Sequence, residues 1–209
     1  WKRAQGEINA MLYELIAARR AGPPGRDVLS LLVAARDPDT GEPMPDRLIR
    51  DEAMTLLLAG HETTANALAW TMHLLADSGY AGSDVRSVWL ESLRLFPPAW
   101  LQTRRLVAPT TVCGFELPPG AMLLFSTWVV HRDPQWWPSP LAFDPSRWDV
   151  GGERPRYAYF PFGGGPRQCI GNDFADLEGV TVLSAILRRF RVEPVAGAPP
   201  AVPAPLVTL

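Results

Sequence analysis

Phe160-Pro161-Phe162-Gly163-Gly164-Gly165-Pro166-Arg167-Gln168-Cys169-Ile170-Gly171 is the stretch that decides how this chain is read. A glycine-rich loop here delivers one cysteine to a helix start. The apolar spacing of Phe174, Leu177, Leu183 and Leu187 predicts a helix from near Cys169 to about Arg189. Unpaired amides at a helix N-terminus favour a thiolate over a thiol, and glycines let the backbone approach a flat ligand that any Cβ would push away. The residues suit an anionic sulfur beneath a planar group. Their plainer reading is a glycine loop beside a small buried cysteine.

Moving outward, the sequence predicts a mainly α fold with a small β region. Ile8, Met11, Leu12, Leu15 and Ile16 recur at helical spacing up to Gly22-Pro23-Pro24-Gly25, and a shorter helix follows from about Asp27. After the Asp37-to-Gly41 turn, Asp46 is a candidate cap for a long helix over 46–76 through Met54, Leu58, Leu68 and Met72, roughly 45 Å at the α-helical rise. Gly82-Ser83-Asp84 caps another helix, 84–95, which stops at Phe96-Pro97-Pro98 where proline removes the donors. Leu106 to Val130 has strand character with hairpin signals at Gly114-Phe115 and Pro118-Pro119-Gly120, and Cys113 reads as a small core residue on a strand. His131 to Gln168 reads as loop, and 196–209 as a loose proline-rich tail.

Composition narrows the function classes. With 209 residues and 47% hydrophobic content the chain can bury a sizeable core as one compact domain, 1–209. A net charge of -2 supplies no basic field, so no nucleic-acid partner is expected. His61 and Glu62 interrupt the best apolar run, so no membrane segment is expected in this chain. Two cysteines make a weak disulfide signal and point to a reducing, cytoplasmic compartment, although an anchor could precede the abrupt start at Trp1. Zinc or a disulfide joining Cys113 to Cys169 ranks lowest, because no second Cys/His pair supplies a tetrahedral site.

The pattern Phe162-Gly163-x-Gly165-x-Arg167-x-Cys169-x-Gly171 resembles the haem-binding signature of the cytochrome P450 family. The resemblance implies the C-terminal portion of a P450-like fold holding haem b, iron protoporphyrin IX. Cys169 would be the axial iron ligand, pushing electron density toward the metal and favouring O–O cleavage. Phe162 would lie against the porphyrin, Arg167 would bond a propionate, and Gly163 and Gly171 would belong to the same cofactor loop.

Three further segments follow in the family's order. Ala59-Gly60-His61-Glu62-Thr63-Thr64 sets small residues, an acid and hydroxyls within one helical stretch, where hydroxyls can bond the backbone and merely kink the helix. The resemblance implies an oxygen-activating helix, with Ala59 and Gly60 at its groove, Glu62 relaying protons and Thr63 holding the species derived from dioxygen. His61 is given no catalytic role. Glu91 and Arg94 share a helix face, an arrangement worth a few tenths of a kcal/mol on a surface. In the family such a pair is buried and completed by an arginine, here Arg147 within Phe143-Asp144-Pro145-Ser146-Arg147-Trp148, in a structural role. Arg104 or Arg105 would meet a propionate, and either could equally be solvated. His131-Arg132-Asp133-Pro134 reads as loop structure.

The implied activity is insertion of one oxygen atom from O2 into a hydrophobic small molecule such as a fatty acid, terpenoid or steroid, with electrons from a ferredoxin, a reductase or another donor. A peroxide-driven or rearranging haem-thiolate enzyme is one alternative, against which Glu62-Thr63 argues. A haem-free module with a structural or interaction role is another. A family domain is roughly twice as long, the segment between Thr64 and Glu91 is shorter than expected, and late strands are lacking at Leu209. A fragment, an edited sequence and a natural reduced form all fit.

Overall fold

The computed structural model describes residues 2–79, 82, 84–149 and 154–209. Two units emerge, Trp1–His61 and Glu62–Leu209. The helix α3 (Asp46–Ser78) begins in the first and ends in the second.

In the first unit, α1 (Lys2–Ala21) buries Leu12 and Ile16, one turn apart, while Met11 and Leu15 are exposed. The inward stripe is therefore narrower than the predicted face. The short α2 (Val28–Ala34) starts at Asp27, whose carboxylate accepts the Ser30 amide at 2.9 Å. That bond holds the Asp27 carboxyl below the ordinary aspartate range. Asp37 closes the following turn by accepting the amides of Asp39 and Thr40, each at 2.9 Å. Asp46 does not cap α3. The Pro45 carbonyl takes the Leu48 and Ile49 amides, so Asp46 lies inside the first turn and pairs with Arg20 at 2.7 Å. Leu56, Leu57 and Leu58 are exposed.

The second unit packs the rest of α3 against α4 (Val85–Leu95) and α6 (Asn172–Leu187) around Ala67, Trp89, Leu93 and Leu183. Asp84 caps α4 through the Arg86 and Ser87 amides, and Ser83 of the predicted cap lies outside the described residues. The fully buried Leu183 contributes on the order of 2 kcal/mol. Gly179 lets α6 come this close, since a Cβ there would stand 2.6 Å from the Trp89 ring. The Trp89 indole then reaches Asp176 at 2.8 Å. α3 runs two residues beyond its expected end, to Ser78, and stops at Gly79, which takes φ 62°.

Four short strands form two antiparallel pairs. β1 (Gln102–Arg105) pairs with β4 (Met122–Phe125), and β2 (Thr110–Val112) with β3 (Phe115–Leu117). Strand structure thus starts before Leu106. Cys113 is not a core residue: it sits exposed at φ 51° beside Gly114 in the two-residue turn of the β2–β3 hairpin. Where strand was expected to continue to Val130, the Ser126 hydroxyl accepts the Val129 amide and starts the single-turn α5 (Thr127–Val130). The predicted loop contains 3-10 turns at Pro145–Trp148 and Gly165–Arg167. The last helix starts three residues later than expected, at Asn172, and ends at Leu187. The tail is tied down at its end, where the Leu209 amide donates to the Pro98 carbonyl and Trp100 Nε1 to the Leu206 carbonyl. The mainly helical fold with a small β region is the one predicted from the sequence.

Candidate functional site

Between core residue Phe162 and α6, the loop closes on itself. The Gly163 amide donates to the Phe160 carbonyl, Gln168 to Gly165, and Cys169 back to the Phe162 carbonyl at 2.9 Å. Gly163 and Gly165 both take positive φ, 73° and 70°, which only glycine adopts without strain. A Cβ at Gly163 would also meet Gln102 Oε1 at 2.8 Å, so β1 abuts the loop there. Cys169 ends two residues before the α6 cap, Gly171, where no side chain satisfies the first helical amides. Its thiol is free and exposed, with no hydrogen bond or ion pair to the described residues. Arg167 is likewise exposed and unpaired among them.

Beside the loop, a hollow of about 340 Å³ is lined by Gln102, Arg104, Phe125, Tyr157, Phe160, Gly164 and Gly165. Gln102 and Arg104 alternate inward along β1, whereas Thr103 and Arg105 are exposed. Arg104, not Arg105, therefore shares the loop's side of the strand. Aromatic walls, a glycine floor and one guanidinium, beside the loop that carries the unpaired thiol, fit a flat, dianionic, iron-bearing ring. Among the described residues no group of three or more His, Cys, Asp or Glu could hold a metal ion.

Behind the loop stands a closed polar network. Glu91 and Arg94 are both 0% exposed. Glu91 accepts Arg94 Nε and Nη2 at 2.9 and 2.8 Å, Arg147 Nε at 3.0 Å, Trp148 Nε1 at 3.0 Å and the Asp144 amide at 3.1 Å. Arg94 spends its remaining donors on the carbonyls of His131, Pro140 and Ala142. The structure thus brings Glu91, Arg94 and Arg147 together. Trp148, the next residue after Arg147, was not singled out in the sequence. The Arg154 guanidinium lies over the Trp137 and Trp148 rings, 4.8 and 5.0 Å from their centroids.

His131 links this network to the cysteine loop, a role the sequence reading missed. Its carbonyl takes Arg94 Nη1 at 2.8 Å, and its Nε2 accepts the Phe160 amide at 2.9 Å. The ring stacks on Tyr159 with centroids 5.1 Å apart. Burial first, and then the neighbouring charges of Arg94 and Arg132, lowers its pKa to about 3, so the imidazole is neutral. The Phe160 bond then fixes the proton on Nδ1, which has no partner.

In α3 the helical hydrogen bonding runs on through Ala59-Gly60-His61-Glu62-Thr63-Thr64. Ala59, Gly60 and Glu62 are exposed, Thr63 is half-buried and Thr64 is buried. Glu62 Oε1 accepts the Thr208 hydroxyl at 2.6 Å, and Thr208 in turn accepts Asn66 Nδ2 at 2.9 Å. Thr208 was assigned to a loose tail, and nothing in its local sequence reveals this contact. Among the described residues no helix is long and apolar enough to cross a membrane.

Known proteins resemble this chain throughout. The family model described as cytochrome P450 matches residues 1–79 and 85–208. "Cyclooctatin synthase" of Streptomyces melanosporofaciens is 40% identical, over 93% of this chain and 48% of its own length. "Cyclooctat-9-en-7-ol 5-monooxygenase" of the same organism is 35% identical, over 94% and 49%. The solved structure of a retinoic-acid-bound cyanobacterial CYP120A1 superposes with a TM-score of 0.85 at 32% identity, covering 94% of this chain and 51% of that one. The chain spans about half the length of the curated relatives it matches. On the family match over nearly all its residues, the chain belongs to the cytochrome P450 family.

Proposed function

We propose that this chain carries the haem-thiolate half of a monooxygenase that oxidises hydrophobic small molecules. The observation that carries the reading is the free Cys169 thiol, held by a closed glycine turn beside an aromatic hollow that contains Arg104. Haem b, when bound, supplies activation of O2 and insertion of one oxygen atom into a C–H or C=C bond.

Each residue then has a defined task. Cys169 Sγ would bind the iron, and the Cys169 amide bond to the Phe162 carbonyl ties that residue's backbone to the loop. Phe162 packs beside the ring; Gly163 and Gly171 give the turn its close backbone. Arg167 and Arg104 take the propionates, and Arg105 stays solvated. The Glu91, Arg94 and Arg147 network holds the polypeptide behind the loop. Ala59 and Gly60 occupy the small positions of the oxygen-activating helix. The Glu62 carboxyl would take up and release protons, and the Thr63 hydroxyl would pass them on for the O2 activation that the haem would supply.

The substrate class rests on the relatives: one is named for an alkenol and another holds retinoic acid, both largely hydrocarbon. A ferredoxin or reductase supplies the electrons. A cytoplasmic location fits two cysteines that are both free.

Thr63→Ala tests the reading. In the haem-loaded protein supplied with reductant and a terpenoid, fatty-acid and steroid panel, one atom of labelled O2 is expected in the product. The variant is expected to consume electrons with product yield lowered about 10²-fold or more. Unchanged yield and coupling would overturn the proton-delivery assignment, and product formation from peroxide alone would favour the peroxide-driven alternative.

A further inference from the structure

We propose that His131 is a positioning residue for the thiolate loop, acting through the Phe160 amide; the inference rests on Cys169 being the haem ligand. His131 is 0% exposed, and both of its useful acceptors point at functional neighbours. Its backbone oxygen is bonded to Arg94 of the buried network. Its Nε2 is bonded to Phe160 N, at the entrance of the loop whose exit is the Cys169 amide bond to Phe162. The Phe160 carbonyl in turn takes the Gly163 amide, so the imidazole bond is the first in a chain of three that ends at the ligand residue.

Packing leaves the ring no other position. Tyr159 lies along one face at 5.1 Å, Phe160 meets it edge-on at 5.4 Å, and Tyr159 is itself pinned by its hydroxyl bond to the Leu90 carbonyl at 3.1 Å. The charged groups facing His131 are Arg94 and Arg132, both cationic, so the neutral ring is the form that accepts. A backbone amide buried without an acceptor would cost the loop its set position, and no other acceptor is bonded to Phe160 N among the described residues.

The discriminating pair is His131→Gln against His131→Asn. Glutamine can carry a carbonyl oxygen to the place of Nε2, whereas the shorter asparagine puts it near Nδ1. Amide hydrogen exchange at Phe160, measured in the haem-loaded full chain, is expected to be near wild type in H131Q and about tenfold faster in H131N. The thiolate-type fraction of the ferrous carbonyl spectrum should fall in the same order. Equal exchange and equal carbonyl spectra in wild type, H131Q and H131N would overturn the positioning role while leaving haem ligation intact. A wild-type carbonyl band unaffected by Cys169→Ser would instead remove the ligand assignment, and this inference with it. If H131N does not fold, H131Q decides: exchange and spectrum close to wild type support the role, and a loss equal to that of His131→Leu overturns it.

Discussion

The Glu91 network and the Cys169 loop lie in the same unit and treat their polar groups in opposite ways. Glu91 is wholly buried and takes five donors, while Arg94 beside it uses every guanidinium nitrogen. The Cys169 and Arg167 side chains are exposed and bonded to nothing among the described residues, on a backbone tied by the Gly163, Gln168 and Cys169 amides. The first region has finished its chemistry and holds the chain in shape. The second has a fixed backbone and unspent side chains, the condition of a site whose partner is another molecule.

The contrast is broken most severely at Glu91. Glu91→Ala leaves two guanidiniums without their acid, one of them fully buried, and is expected to cost about 3–5 kcal/mol. Denaturant unfolding should show it, together with loss of haem uptake; a change under 1 kcal/mol would mean the network is not the frame. Next is acid. The folded-state pKa of His131 is about 3 against an ordinary 6.5. Between those values the unfolded chain binds a proton that the folded chain refuses. This contribution to stability is complete above about pH 6.5 and is lost as pH falls toward 3, on the order of a few kcal/mol. Unfolding curves for H131Q across that window should be flatter than wild type.

Gly179→Ala tests the packing that carries both regions. Its Cβ would overlap the Trp89 ring, an overpacking cost of about 1–3 kcal/mol that a thermal melt resolves. The smallest stability effect is expected at the proposed ligand. Cys169→Ser, at an exposed position, is expected to shift unfolding by no more than about 0.5 kcal/mol while abolishing thiolate ligation.

What the sequence made legible follows the same division. Helices with several periodic turns were plain, and so was the glycine-cysteine stretch, because local spacing determines both. Asp46 as a cap failed because Pro45 already supplied the helix's first carbonyl acceptor, and Cys113 as a core residue failed because a two-residue hairpin turn claimed it. Arg104 and Arg105 could not be separated until the strand's alternation was known. His131 and Thr208 stayed hidden because their partners, Phe160 and Glu62, are 29 and 146 residues away. Such contacts depend on tertiary packing, which no window of sequence displays.

The central claim is that Cys169 is the proximal ligand, and the ferrous carbonyl spectrum of the haem-loaded chain beside Cys169→Ser tests it most directly. The account expects the strongly red-shifted Soret band of a thiolate complex in wild type and its loss in the variant. A chain that takes up no haem, or a carbonyl band indifferent to the substitution, would contradict it.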